Sequence, residues 1–425
     1  MGIASGRFRV SNGRLAGEAN LAAVSAAPPR PILLHALICI VLTGAFLALF
    51  DRLKPLTDME GYLVDYRLRN GRLTPANPDL VYVSVDKTTY EGDFSDEMIA
   101  QAGADDQYFM SLLRGSWPWS RDLWAHAANR LIEAGAKGVL LDFIFPAEKP
   151  NDPELKAILD RHSPKIIIGA LIDWTDDRMV LMPPSPSLID ADEFGDTSSD
   201  PRVGFLNIYT DADGTVRRGQ YDFDLNQLIK NTIGSEFANE LEGEGQVMRS
   251  AVSRAVELLG HKAKLPATDV RPLLRYTGLP ETFKSISLRA IIDPVEWGSN
   301  YLQRDFFRGK FVVMGPGAAI LKDFHRTPFG EHGAMMVGLE LLLNHINAAI
   351  HGEFIEESSS TLNRGVIAAA GALGSSYCLA AAQRSVSRAY RSTAERALSG
   401  TGPVVLRLSK PNDQRHCDSL AVTEF

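Results

Sequence analysis

Ile32 to Phe50, ILLHALICIVLTGAFLALF, runs for 19 residues without a charged side chain. As a helix it would rise about 28 Å, close to the ~30 Å of a bilayer's hydrocarbon core. Asp51, Arg52 and Lys54 close the run, and Arg7, Arg9, Arg14 and Arg30 precede it against one acid, Glu18. That asymmetry predicts a transmembrane helix over 31–50 with a disordered cytoplasmic tail, 1–30, before it. A cleaved signal peptide is the competing reading. Against it, the leader is long and the apolar run exceeds the usual ~7–15 residues. Gly6 stands where a myristoylation motif needs Ser or Thr.

A weaker apolar stretch, Gly365 to Ala382, is rich in Ala, Gly and Ser and is followed by Arg384, Arg388, Arg391 and Arg396. It reads as a second transmembrane helix, 365–382, packed against a partner helix, with a soluble alanine-rich helix as the alternative. Residues 51–354 would then lie outside the cytoplasm, and 383–425 would form a short irregular cytoplasmic tail. The three cysteines, Cys39, Cys378 and Cys417, all fall outside 51–363, so the central region holds no disulfide and no thiolate metal site. A net charge of -8 without a concentrated basic block argues against nucleic acid as the main partner.

The central region alternates strand and helix patterns. Leu56, Met59, Leu63 and Tyr66 stand at helical spacing, and Leu80–Val85 reads as a buried strand ending in Asp86. Residues 87–114 are polar and acidic, a long irregular connection. Ser120 sits at an N-cap position, Leu123, Trp124, Ala127, Leu131 and Ile132 make one helix face, and Gly135 supplies the stop. The strand 138–145, apolar on both faces, completes a β-α-β unit; a helix from Pro153 and a strand 165–172 follow. Asp213-Gly214, between two strand-like runs, predicts a hairpin. An amphipathic helix over 246–259, short strands in LLRYTG and FKSISL, a buried strand Phe311–Gly315 and a long apolar helix Ala334–Ile350 end the region. The fold class is α/β, a mainly parallel or mixed sheet flanked by helices.

Ligands of open α/β sheets gather beyond the carboxyl ends of the strands, which draws attention to Asp86, Asp142 and Asp323. Asp142 lies mid-run and reaches such a crevice only if Phe143–Phe145 leave the strand. The plain alternative for these aspartates is helix capping or pairing with Arg121; a cation or cationic ligand is the other. Trp117, Trp119 and Trp124 around Pro118 form either a ligand pocket or a plug over the helix start. GPGAAI lacks the third glycine of a dinucleotide loop, and DADGTVRRGQYD carries Val216 where a calcium loop needs glycine. His325 and His332 read as solvent-facing loop histidines. The sequence offers no catalytic motif, metal site or cofactor motif.

Four segments in order resemble a CHASE2 domain: VYVSVDKTTY, WPWSRDLWAHAANRLIEAGAKGVLLDFIFPAE, GFLNIYTDADGTVRRGQ, and FVVMGPGAAILKDFHRTPFGEHGAMMVGLELLLNHINAAI. The resemblance covers about residues 55–352 and rests on W-P-W-x-R, D-x-D-G-x-x-R-R and T-P-x-G. It implies an extracytoplasmic sensor of a bacterial membrane receptor, which binds an unknown small-molecule or envelope signal and relays it inward. In typical members, membrane spans lead to a cyclase or kinase. Here the expectation is a sensor at the inner membrane whose output domain is missing or truncated, a homodimer or a separate cytoplasmic output protein carrying the signal. The ligand-binding candidates are Asp86, Trp117, Trp119, Arg121, Asp142 and Asp323. Two further readings remain: an extracytoplasmic α/β enzyme or metal-binding module using the aspartates, and a non-signalling remnant or structural partner protein.

Overall fold

The computed structural model describes residues 30–49, 54–175, 178–228, 246–330 and 335–398. These fall into two units, Lys54–Glu357 and a second one made of Met1–Leu53 with Ser358–Phe425.

In the second unit, helix α1 spans Arg30–Leu49; among the described residues its apolar helical segment, Leu37–Leu49, is short, so the expected N-terminal span is not shown by length alone. The C-terminal helix, 39 residues over Ser360–Leu398, contains a segment, Ser360–Ser385, long and apolar enough to cross a membrane. The two helices pack on small residues: a Cβ at Gly371 would lie 2.3 Å from the Thr43 hydroxyl. Residues 383–398, expected to be irregular, continue that helix, because Ala, Arg, Gln and Leu there are good helix formers. Residues 399–425 lie outside the described residues.

The unit Lys54–Glu357 opens with helix α2 (Lys54–Asn70), after which a central sheet forms from β1 (Leu80–Val85), β2 (Gly138–Ile144), β3 (Ile166–Thr175), β4 (Arg178–Met182) and β5 (Val203–Phe205). Later come the short strands β6 (Asp222–Asp224), β7 (Val247–Arg249) and β8 (Leu273–Leu274), then β9 (Lys284–Ser287) and β10 (Phe311–Pro316). The order across the sheet is β4-β3-β2-β10-β1-β9, with β5 also on β3. All pairings are parallel except β3 with β4. The expected β-α-β unit is present, and the late strand β10 inserts between its two strands, Phe311 opposite both Leu80 and Gly138. A strand in that position is covered on both faces, which its run Phe311–Met314, wholly buried, allows.

Alternation along each strand feeds two cores. Leu141, Met314 and Val83 face α6 (Arg121–Glu133) and α7 (Asp152–Arg161) through Leu123, Leu131 and Leu155. Leu140, Val313 and Ile167 face α8 (Ala251–Leu258) and α10 (Gly338–His351) through Val252, Leu342 and Ile346. The expected irregular connection 87–114 is instead three short helices, α3 (Lys87–Tyr90), α4 (Asp96–Gln101) and α5 (Ala104–Leu113), started by Asp86, Ser95 and Gly103. α9 (Leu288–Ile292) packs beside α5 and α6. Helix α10 is buried from Gly338 to Ile350, the polar residues of that stretch included: the Glu340 carboxylate accepts the N–H groups of Glu281, Thr282 and Phe283 at 2.8, 2.7 and 3.2 Å.

The expected hairpin at Asp213-Gly214 is not formed. The turn exists, with the Gly214 N–H donating to Asp211 C=O at 2.8 Å, but the flanking runs go to different partners. Val203–Phe205 joins the main sheet and Thr215 bridges to Arg326. The turn residues specify only the reversal, and tertiary pairing decides where the strands go. LLRYTG and FKSISL likewise part: β8 pairs with β11 (Phe354–Ile355), and β9 joins β1. At Gly204 a Cβ would sit 2.4 Å from Ala251 Cα, a backbone atom that cannot swing away. Gly204→Ala is therefore expected to lower stability by about 1–3 kcal/mol in a urea melt, through overpacking of α8 on β5.

Candidate functional site

The site is built on a break in β2. Its register on β3 runs Leu141↔Ile168 and then Ile144↔Gly169, so Asp142 and Phe143 lie in a bulge. A bulge bends a strand and re-aims its side chains. Glycines on both neighbouring strands make room for it. A Cβ at Gly315 would lie 2.7 Å from Asp142 Cβ, and one at Gly169 would lie 2.5 Å from the Phe143 carbonyl oxygen. The strand end thus divides two cavities, and Phe143 and Ile144 line both.

On one side is a crevice of about 600 Å³ that brings together Asp142, Asp323, His325, Asn207 and Pro316. The His325 ring nitrogen Nε2 lies 3.0 Å from Asp323 Oδ1, while Asp323 Oδ2 is buried without a hydrogen-bond partner among the described residues. Asp323 rests on the start of α10, where a Cβ at Gly338 would come within 2.1 Å of its carboxylate. Asn207 fixes the wall by a paired contact with the Ile172 backbone, 3.0 and 2.7 Å. Asp142 is crowded by protein although part of its surface reaches the crevice. Burial first, and the Asp323 charge second, push its pKa up to about 8. Among the described residues no three His, Cys, Asp or Glu side chains gather as metal ligands.

On the other side Trp117, Trp119, Trp124, Phe143 and Phe145 line a cavity of about 540 Å³ at the start of α6. Trp124 and Phe143 rings are 4.3 Å apart and Trp117 and Trp119 5.1 Å apart. Ser120 takes the N-cap position as expected, but its hydroxyl makes no capping bond. Arg121, buried below these rings, donates to the Asp152 carboxylate and the Ala147 carbonyl and lies 5.1 Å under the Phe145 ring. Asp152 also accepts the Lys149 N–H at 2.9 Å and the Ser187 hydroxyl. Burial alone would raise the Asp152 pKa, but these donors hold it below the usual carboxylate value.

Residues 37–377 match the family model of the CHASE2 domain. The chain belongs to the CHASE2 family. Neither a curated protein nor a solved structure gives a match. CHASE2 domains are extracytoplasmic sensors and not catalytic domains themselves.

Five of the six expected site residues thus gather at the bulge of this CHASE2 domain, Trp117, Trp119 and Arg121 lining one cavity, Asp142 of the bulge itself and Asp323 the other. Asp86 stands apart from both cavities. Its Oδ1 accepts the Thr89 N–H at 2.9 Å and the hydroxyls of Thr88, Thr89 and Ser287 at 3.0, 2.7 and 2.9 Å, capping α3 and tying β1 to β9. His325, read as a solvent-facing loop histidine, is half-buried against Asp323; the adjacent Asp323-x-His325 spacing was the available signal, since i and i+2 share a face on extended backbone. His332 lies outside the described residues. The Asn207–Ile172 contact and the Arg121–Asp152 pair carried no local signal, because the partners stand 35 and 31 residues apart.

Proposed function

We propose that this CHASE2 protein is anchored in the inner membrane by two helices, α1 and Ser360–Ser385, with its N-terminus cytoplasmic and Lys54–Glu357 outside. It receives a small-molecule or envelope signal at the carboxyl end of β2 and relays it inward, through a second copy or a separate cytoplasmic output protein. Side chains such as Ile40, Leu42 and Leu373, exposed by 62, 63 and 72%, support the anchoring, since water disfavours so much open apolar surface. The observation that carries the receiving site is the bulge of β2, which places an aromatic cavity and a carboxyl pair on either side of one strand end.

A thermal-shift screen of the full chain in detergent tests this reading. A true ligand at a hundredfold excess over its Kd stabilises by about 2.7 kcal/mol. That shift is expected to vanish in either Trp117→Ala or Asp142→Asn while the unliganded fold persists. Equal shifts in wild type and both variants would remove the crevice as the receiver.

A further inference from the structure

The paired arginines of D-x-D-G-x-x-R-R occupy neither cavity, yet Arg217 is held by three carboxylates, those of Asp65, Asp211 and Asp213. Its side chain is 5% exposed, and all five donors are used. Nε and Nη2 donate to the two Asp65 oxygens at 2.6 and 2.9 Å, Nη1 to Asp211 and Asp213 at 3.0 Å each, and Nη2 to Asp213 at 2.7 Å. Asp65 belongs to α2, the helix that follows α1 in the chain. The next residue, Arg218, makes a two-pronged pair with Glu357, one contact at 2.7 Å. Glu357 is the last residue of the unit, three residues before the C-terminal helix. Two adjacent arginines therefore hold the two ends of the sensor unit, each by a bidentate carboxylate grip.

The same segment is also bonded to the crevice. The Val216 N–H donates to the Arg326 carbonyl at 2.8 Å, and Thr215 bridges to Arg326. Arg326 follows His325, which contacts Asp323. On its other side the Arg217 carbonyl accepts the Leu274 N–H at 2.9 Å, and Leu274 pairs with Phe354 of β11, three residues before Glu357. Asp323, His325 and Arg326 thus join through Val216 to Arg217 and Arg218 by covalent and hydrogen bonds without a gap.

We propose that Arg217 and Arg218 are the transmission residues of this sensor: the state of Asp323 and His325 reaches α2 through Arg217–Asp65 and the C-terminal end through Arg218–Glu357. This rests on the sensor reading of the crevice. Each arginine serves one exit, and the two meet at the shared Asp211 carboxylate, 3.0 Å from Arg217 Nη1 and 3.7 Å from Arg218 Nε, which neither exit variant below removes.

Hydrogen exchange of the full chain in detergent micelles tests it without a ligand, using Asp323→Asn as the stimulus. In an otherwise wild-type chain, exchange at 61–70 and at 354–360 is expected to change by about threefold or more, the low end of coupling between linked residues. With Glu357→Gln, whose side chain is half exposed and safe for folding, the response at 354–360 is lost and that at 61–70 stays. With Asp65→Asn the pattern reverses. A purely structural role would raise exchange in both single variants yet leave the Asp323→Asn ratio unchanged at both exits, and that outcome overturns the proposal, as does no response in the wild-type chain. A ligand shift lost in Trp117→Ala together with an unchanged ratio would keep the sensor reading and reject only the transmission.

Discussion

Arg121→Ala is expected to destabilise the chain by about 3–5 kcal/mol, because it leaves the buried Asp152 carboxylate without its cation. Asp152 is 1% exposed, and without the guanidinium its charge stays in the interior with only the Lys149 N–H and the Ser187 hydroxyl as donors. The same change removes the Ala147 carbonyl's donor and the cation beneath Phe145. Replacing both partners, as Arg121→Met with Asp152→Leu, leaves no orphaned charge and should lose far less, because the pair itself repays little beyond its own desolvation. Urea melts of the two variants and wild type, compared at equal slope, read the difference. A single-variant loss below about 1 kcal/mol would show that Asp152 is neutral or hydrated, and that Arg121 does not support the cavity floor.

These two cavities were only partly legible in the sequence. The strands were, because β1, β2, β3 and β10 are apolar on both faces, and the α6 face was, because Leu123, Ala127 and Leu131 repeat at helical spacing. Trp117, Trp119 and Arg121 fell together because they sit within five residues of one another. The bulge was only glimpsed: Asp142 in an apolar run required the strand to break, but the glycines that admit the break lie on β3 and β10. The position of β10 between β1 and β2 could not be read locally, since parallel order depends on crossovers that no short window contains. The Asp213-Gly214 turn misled for the same reason: beyond the Asp211 N–H to Thr215 C=O bond its flanks are claimed by Arg326 and β3. Arg217 and Arg218 belonged to a recognisable motif, yet their partners Asp65 and Glu357 lie 152 and 139 residues off.

Asp142→Asn is expected to change how stability depends on pH, in a direction opposite to that of an ordinary surface carboxylate. With a folded pKa of about 8 and an unfolded value near 3.9, the folded chain holds a proton between those limits that the unfolded chain has released. Stability contributed by this group therefore falls as pH rises through that window, by at most ~1.4 kcal/mol per unit, and is level above it. Asp142 keeps part of its surface on the crevice, which softens the penalty, so the variant should match wild type near pH 4 and exceed it by roughly 2–4 kcal/mol at pH 9. Asp323→Asn in the same melts should shift the decline to higher stability at every alkaline pH, because the neighbouring charge is one of the two causes of the shift. Identical pH profiles for wild type and Asp142→Asn would mean that the carboxyl is hydrated and ordinary. If the profiles differ, proton release becomes a probe of the signal itself. A cationic ligand seated between Asp142 and Asp323 favours the ionised pair and expels the proton, whereas a neutral ligand leaves it in place. Titration calorimetry in two buffers of unequal ionisation enthalpy separates these cases for any compound the thermal screen returns.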